Sequence, residues 1–220
     1  MNVLFIGNSY TYHNELPTIF EKLANDNGKD VRTYKITRGG KFLFQNLDKN
    51  DVQYQEAIET INARSYEVLF LQEQSFFALI DYDKFENSVL ELIKTIKPRR
   101  KILYCTWGRK PDSKTLEEHG WTNESMTTGL YAAYKKASEK AKAELSPVGI
   151  CFYTLLKAYP ELELYNEDLT HPSYLGSCVA ALAHYYTTFN ELPTNFSSLK
   201  LDEDVIDTIS IAVKKTCLEF

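Results

Sequence analysis

The chain has 220 residues, of which 44% are hydrophobic and 25% are charged, and its formal net charge is -5. This composition excludes a disordered or collagen-like chain, and the length suits a single domain (1–220) with a sizeable core. The negative charge argues against a dedicated nucleic-acid-binding protein, because phosphate binding needs a basic surface. No apolar stretch approaches the roughly 18 residues that cross a bilayer, so we expect neither nucleic acid nor a membrane as a partner.

Short apolar runs alternate with longer amphipathic segments along the chain. In chain order, the predicted elements are a strand at 2–6, a helix at 15–26, a strand at 31–36, a helix at 52–63, a strand at 66–72, a helix at 82–96, a strand at 101–107, a helix at 124–145, a fifth short strand that follows residues 147–150, and helices at about 173–188 and 202–218. Because parallel neighbours need crossover helices, this order predicts an α/β protein with a parallel sheet and helices on both faces. The longest irregular stretch, 108–123, is either a lid or a plain surface loop.

The N-terminal segment and the cysteines bear on the cellular compartment. Residues 1–7 form an apolar run too short for a signal peptide and carry no basic segment, so we expect a cytoplasmic protein. Zinc and redox sites need closely spaced cysteines, and this chain has no Cys-x-x-Cys pair. We expect four reduced, mostly buried thiols and neither a metal nor another cofactor; the cysteines are Cys105, Cys151, Cys178 and Cys217.

Ser9 lies two residues beyond the first predicted strand, just before a predicted helix. In parallel α/β folds, functional sites gather at the C-terminal ends of the strands. A serine there has its hydroxyl near backbone N–H groups that favour a developing anion, which is typical of a nucleophile. The same position is also typical of an ordinary helix-capping serine after a glycine turn, and this motif alone leaves both interpretations open.

Asp168 and His171 lie in a loop just before a later predicted helix, in the segment DLTHPS. A carboxylate three residues before a histidine can accept the Nδ1–H of the ring and fix its tautomer. The Nε2 atom is then free to take a proton from a serine. Taken singly, His171 fits a capping or surface histidine and Asp168 a solvated loop acid.

Oxyanion donors are expected at the ends of the second and third strands. Gly39 and Gly40 follow the second strand, where adjacent glycines let a backbone N–H approach a reacting oxygen closely. Gln72 and Gln74 close the third strand, and a carboxamide N–H at that point is a suitable donor. A plain turn and a polar strand end are the simpler interpretations of each pair by itself.

These motifs together resemble the SGNH (GDSL-like) hydrolase superfamily. They are GNSYT at 7–11, the glycine pair after the second strand, the carboxamides after the third and DxxHPS at 168–173. The closest likeness is to a bacterial branch with GNS in its nucleophile block. The resemblance implies a flavodoxin-like three-layer α/β/α sandwich with about five parallel strands.

The same resemblance implies a role for each matched residue. Ser9 would be the nucleophile, His171 the base and Asp168 the residue that orients it. The N–H groups of Ser9 and of Gly40 or Gly39 would line the oxyanion hole. The family's asparagine in the third block is absent, and either Gln72 or Gln74 would replace it, since alignment favours Gln74 and the strand end favours Gln72.

Trp107 ends the fourth predicted strand, so it is expected either as a pocket wall or as a core residue. The motifs predict a serine esterase that cleaves a small acyl group, such as a carbohydrate O-acetyl ester, through an acyl-Ser9 intermediate. The alternatives are a lipase or thioesterase for longer chains, and an inactive protein that binds a glycan or an acyl ligand. The expected partner is a small-molecule ester, and the oligomeric state stays open.

Overall fold

A parallel five-stranded sheet forms the centre of the computed structural model, which describes all 220 residues. Its strands are β1 (Asn2–Gly7), β2 (Arg32–Thr37), β3 (Val68–Leu71), β4 (Arg100–Tyr104) and β5 (Glu144–Ser146). They lie side by side in the order β2-β1-β3-β4-β5, and every neighbouring pair is parallel. The predicted α/β class and parallel sheet are therefore confirmed.

Ten α-helices connect and cover the strands. They are α1 (Ser9–Tyr12), α2 (Leu16–Asp26), α3 (Tyr54–Asn62), α4 (Phe77–Ile80), α5 (Tyr82–Ile96), α6 (Lys114–His119), α7 (Asn123–Ala141), α8 (Val148–Ala158), α9 (Tyr174–Phe189) and α10 (Glu203–Glu219). None of them is both long enough and apolar enough to span a bilayer. Short 3₁₀ turns lie at His13–Glu15, Leu43–Asn46 and Ser197–Leu199.

Two hydrophobic clusters cover the two faces of the sheet. Side chains alternate along a strand, so Val3 and Phe5 of β1 point to one face and Leu4 and Ile6 to the other. The first face packs against α2, α8, α9 and α10, and the second packs against α3, α5 and α7. The sheet is thus the middle of three layers, and the carboxyl ends of its parallel strands share one open edge.

The fifth strand was predicted after residues 147–150, and this placement was wrong. The strand is Glu144–Ser146, and the apolar run after Pro147 forms α8. A short apolar run fits a buried helix as well as a strand, because its periodicity does not separate the two. Gly149 lets α8 lie close to the sheet, since a Cβ at this position would come within 2.1 Å of the Thr106 carbonyl oxygen.

Residues 108–123 were predicted to be irregular, but they contain α6. The rings of His119 and Trp121 at the end of this segment stack on each other with centroids 4.5 Å apart. Both rings also pack against Phe76, at 5.0 and 5.7 Å. The segment is therefore packed against the loop that follows β3.

The cysteines form no disulfide in this structure. Three of them are buried and Cys217 is half-buried. The buried ones are Cys105, Cys151 and Cys178. Burial raises the pKa of the Cys178 thiol to about 12, so this thiol stays protonated at neutral pH.

Candidate active site

A small polar pocket lies at the carboxyl edge of the sheet, with a volume of about 200 Å³. Each of the first four strands contributes to it through the loop that follows: Ser9 after β1, Gly40 after β2, Gln74 after β3 and Arg109 after β4. His171 joins them from the loop between α8 and α9. The parallel topology thus collects side chains that are far apart in the sequence.

Ser9, His171 and Asp168 form a continuous hydrogen-bonded chain at this pocket. The Nε2 atom of His171 lies 2.8 Å from the Ser9 hydroxyl oxygen. Its Nδ1 atom lies 2.5 Å from the Oδ2 atom of Asp168. These contacts would allow the three side chains to act as a nucleophile, a base and an orienting acid.

The Asp168 carboxylate also fixes the backbone of its own loop. Its Oδ1 atom accepts hydrogen bonds from the backbone N–H groups of Thr170, at 2.9 Å, and His171, at 2.8 Å. Partial burial raises the pKa of Asp168, but the hydrogen bonds from His171 and Thr170 outweigh it, and the net pKa lies below the ordinary value. The carboxylate therefore remains charged and holds both the ring and the main chain of His171.

Trp107 holds the loop that carries Asp168 and His171, and it does not line the pocket. Its ring is completely buried, stacked on Tyr10 at 4.6 Å and on Phe152 at 4.4 Å. The indole N–H donates to the Thr170 carbonyl oxygen at 3.1 Å, next to His171. Trp107 thus lies in the core and is not among the residues that line the pocket.

Asn8 determines the turn that presents Ser9. Its Oδ1 atom accepts from the Tyr10 N–H at 3.1 Å, and its Nδ2 atom donates to the Lys41 carbonyl at 3.1 Å. The second bond ties the serine turn to the loop that carries Gly40. An aspartate at this position lacks the N–H that the carbonyl accepts, which explains why an amide suits this site.

Gln72 is a structural residue of this turn rather than an oxyanion donor. It is buried outside the pocket, and its Oε1 atom accepts from the Asn8 N–H at 2.9 Å and the Thr11 hydroxyl at 2.8 Å. Its Nε2 donates to the Glu73 carbonyl. Because Gln72 is buried and does not line the pocket, its carboxamide is not available to a substrate oxygen there.

Gly40, after β2, and Gln74, after β3, are the hydrogen-bond donors that remain available to a substrate at these strand ends. The Gln74 carboxamide lies in the pocket and makes no hydrogen bond to another protein group. The Gly40 N–H also has no acceptor within the protein, and its φ of +66° suits glycine. Gly39 lies outside the pocket beside the Tyr12 hydroxyl, which a Cβ would approach to 3.2 Å.

The loop that carries Gly40 is fastened by a buried ion network. Asp51 pairs with Arg38 through two hydrogen bonds of 2.9 and 2.7 Å, and the Lys41 ammonium lies 3.3 Å from the same carboxylate. The Arg38 guanidinium is the main cause that lowers the pKa of Asp51 to about 2. The Asp51 carboxylate therefore stays charged throughout the neutral range and holds the residues on either side of Gly40.

Glu73 supports Gln74 from the core. One carboxyl oxygen accepts from the backbone N–H groups of Gln74 at 2.6 Å and Leu43 at 3.1 Å, and the other has no partner. Burial is the largest effect on this group and raises the pKa of Glu73 to about 7. Glu73 thus links the segments that follow β2 and β3 on the inner side of the pocket.

Two residues near the site were not found from the sequence. The ring of His13 stacks on that of His171 with centroids 4.2 Å apart. Burial, together with the nearby His171, lowers the pKa of His13, which favours its neutral form beside the other ring. Arg109 lies in a segment without local pattern, so no sequence signal indicated that it lines the pocket.

No group of three or more His, Cys, Asp or Glu side chains is arranged to hold a metal ion. The groups at the pocket are a hydroxyl, an imidazole that is bonded to a carboxylate, and several hydrogen-bond donors.

No protein-family model matches the chain, and no protein with curated annotation matches it. Solved structures do resemble it. A protein from Slackia heliotrinireducens assigned to the SGNH hydrolases is 25% identical, with a TM-score of 0.73 over 86% of this chain and 98% of that one. A DUF4886 family protein from Bacteroides uniformis is 17% identical, with a TM-score of 0.80 over 99% and 95%.

An acetyl xylan esterase is 15% identical, with a TM-score of 0.65 over 86% of this chain and 100% of that one. A GDSL-like lipase from Parabacteroides merdae is 14% identical, with a TM-score of 0.67 over 86% and 96%. These likenesses agree with the sheet order and the three layers described above. The chain therefore has the fold of the SGNH (GDSL-like) hydrolases.

Proposed function

We propose that this protein is a serine hydrolase that cleaves the ester of a small acyl group through an acyl-Ser9 intermediate. The observation that carries the proposal is the 2.8 Å contact between the Ser9 hydroxyl and the Nε2 atom of His171, whose Nδ1 is held by Asp168. Ser9 and His171 line an open pocket to which a substrate has access.

The reaction begins with the transfer of a proton from the Ser9 hydroxyl to Nε2 of His171. The serine oxygen attacks the ester carbonyl carbon and forms a tetrahedral intermediate. The intermediate collapses, the ester C–O bond breaks, and His171 returns the proton to the leaving alcohol. A water molecule then attacks the acyl-serine with His171 again as base, which releases the acid and restores Ser9.

The negative charge of the tetrahedral intermediate needs donors that are already in place. The backbone N–H of Gly40, the Gln74 carboxamide and the N–H of Ser9 supply them in this proposal. Gly40 and Gln74 have no competing acceptor in the protein. Gln74 thereby takes the place of the asparagine that the superfamily pattern has in its third block.

The dimensions of the pocket favour a small acyl group. A volume of about 200 Å³ leaves little space for a long chain, and Tyr10 is the one hydrophobic residue among the nine that line it. A long acyl chain gains about 0.8 kcal/mol per buried CH₂ group in an apolar channel, and this polar pocket offers no such gain. The acetyl xylan esterase of the same fold supports an acetyl group in particular.

The test is the hydrolysis of p-nitrophenyl esters from acetate to octanoate, with Ser9→Ala as the control. We expect turnover that depends on Ser9 and is highest with acetate. Highest turnover with the long esters would favour a lipase or thioesterase instead. Activity that survives in Ser9→Ala, or no turnover at any chain length, would contradict the proposal.

A further inference from the structure

Arg109 lines the pocket beside Ser9 and His171, but no acidic side chain of the protein pairs with it. Its Nε atom is buried without a hydrogen-bond partner. The other half-buried guanidinium groups of the chain are paired with carboxylates. Arg38 donates two hydrogen bonds to Asp51, and Arg100 donates two to Glu144, at 2.9 and 2.6 Å. Among the half-buried arginines, only Arg109, which lines the pocket, therefore lacks an acidic partner.

The backbone of Arg109 is fixed although its side chain is unpaired. Its N–H donates to the Met126 sulfur at 3.3 Å, and its carbonyl accepts from Asn123 at 2.8 Å. The guanidinium carbon lies 5.8 Å from the centre of the ring of Tyr10, another residue that lines the pocket. Arg109 therefore lines the pocket from a segment after β4 whose backbone is held by hydrogen bonds.

The pocket contains no carboxylate that could neutralise this charge. The residues that line it include no Asp or Glu, and the nearby Asp168 is already bonded to His171 and its own backbone. A half-buried guanidinium with a desolvated N–H is costly unless an anion accepts its hydrogen bonds. Carboxylates and phosphates match its planar fork through two parallel bonds.

We propose that Arg109 binds an anionic group, a carboxylate or a phosphate, that the ester substrate carries close to its scissile bond. This inference rests on the proposed esterase function and adds that the ester substrate carries a negative charge. The pocket is small, so the anion lies within a few bonds of the ester carbonyl. Arg109 is then a specificity-determining residue, whereas the bond-breaking steps remain with Ser9 and His171.

The experiment compares acetyl esters with and without an anionic group, and the members of the carboxylate pair hardly differ in size. The carboxylate pair is O-acetylglycolate and its amide, and the phosphate pair is 2-acetoxyethyl phosphate and the uncharged 2-acetoxyethanol. Acetate release gives kcat/KM for each ester with the wild type, Arg109→Gln, Arg109→Lys and the control Lys110→Gln. Lys110 is a suitable control because its ammonium already pairs with Glu163 at 2.9 Å outside the pocket.

We expect the wild type to prefer the anionic member of at least one pair by about tenfold or more. Arg109→Gln lowers that preference at least about tenfold, mainly through KM, and Arg109→Lys, which keeps the charge and loses the fork, gives an intermediate value. Lys110→Gln keeps the wild-type preference. The pair with the larger preference identifies the anion as a carboxylate or a phosphate.

Two results would overturn the inference in distinguishable ways. If the wild type and Arg109→Gln hydrolyse the neutral esters and show the same charge preference, the inference is wrong and the esterase function stands. If the wild type hydrolyses none of the four esters, nor p-nitrophenyl acetate, the proposed function is wrong and the inference with it. The rates on neutral esters also show whether each variant is folded.

Discussion

The molecule contains two serine–histidine pairs with the same oxygen–nitrogen distance and very different surroundings. Ser9 lies 2.8 Å from Nε2 of His171 at the carboxyl edge of the sheet. Ser146, at the end of β5, lies 2.8 Å from Nδ1 of His184 on α9. The first pair opens onto a pocket, whereas both members of the second are completely buried.

The second pair lacks the features that would make it reactive. No carboxylate contacts His184, and its Nε2 atom has no partner. The ring packs instead against aromatic side chains, with Tyr104 edge-on at 4.3 Å and Phe70 at 4.6 Å. Burial lowers the pKa of His184 to about 3. A short serine–histidine contact is therefore not sufficient for catalysis by itself. Catalysis also requires an acid that orients the histidine, hydrogen-bond donors to the substrate and a pocket that the substrate can reach.

The largest expected effect separates the two pairs by activity. Ser9→Ala should lower kcat for p-nitrophenyl acetate at least about 10³-fold, because Ser9 is the one hydroxyl that is hydrogen-bonded to His171. Ser146→Ala should keep wild-type turnover, since this hydroxyl does not reach the pocket. Steady-state kinetics of both variants measures these effects. An inactive Ser146→Ala variant would contradict the distinction between the two pairs.

The second prediction concerns the acid that only one pair has. Asp168→Asn should lower kcat by about 10²–10⁴-fold, because the amide supports the wrong tautomer of His171 and stabilises its charged form less. The fold should be retained, since the residue is half-exposed. Kinetics together with circular dichroism measure this, and a wild-type kcat in Asp168→Asn would rule out an orienting role for the carboxylate.

The third prediction distinguishes the two glutamines that follow β3. Gln74→Ala should lower kcat by about 10²–10³-fold with the stability unchanged, since a donor to the oxyanion is lost. Gln72→Ala should lower the stability, because the Asn8 N–H and the Thr11 hydroxyl lose their acceptor. Equal kcat values for wild type and Gln74→Ala would exclude Gln74 from the oxyanion hole.

The buried pair should affect stability by a smaller amount. Ser146→Ala leaves Nδ1 of His184 without a partner in the core, which should cost about 1–3 kcal/mol of the free energy of unfolding. Urea denaturation at pH 7.5 measures this cost. An unchanged midpoint would mean that the hydrogen bond contributes nothing to the fold.

The lowered pKa of His184 also predicts a pH dependence of stability. Between about pH 3 and the ordinary histidine value, the unfolded chain binds one more proton than the folded one. The free energy of unfolding therefore falls by about 1.4 kcal/mol for each pH unit below that value. A His184→Gln variant should lack this contribution in urea titrations at pH 7.5 and 5.0.

Glu73 titrates in both the wild type and His184→Gln, because its pKa of about 7 is set by its own burial. Its contribution to the pH dependence of the free energy of unfolding is therefore the same in both proteins and cancels when they are compared. The same loss of stability between pH 7.5 and 5.0 in wild type and His184→Gln would contradict the assignment to His184.

Most of the fold could be predicted from the sequence because its signals are local. The apolar runs of β1 to β4 and the helical stripes lie within a few residues of their observed limits, and βαβ order implies a parallel sheet. The fifth strand was misplaced because only three residues form it and the apolar run of α8 follows at once. Local pattern does not separate a buried helix from a strand there.

The site was predictable to a different extent. Ser9, Asp168 and His171 were singled out because each belongs to a short motif at a predicted strand or loop end. The choice between Gln72 and Gln74 depended on which carboxamide the turn after β1 occupies, and that contact spans 64 residues of sequence. Arg109 carries no local signal, since its importance arises from the absence of a partner in three dimensions.

The most direct test of the central claim is labelling with a fluorophosphonate probe, followed by mass spectrometry of the peptides. The probe reacts with a serine that an adjacent base activates, so it reports the nucleophile without any assumption about the substrate. We expect covalent label on Ser9 and none on Ser146, and loss of labelling in His171→Ala. Label on Ser146, or no label on Ser9 in the folded wild-type protein, would contradict the account.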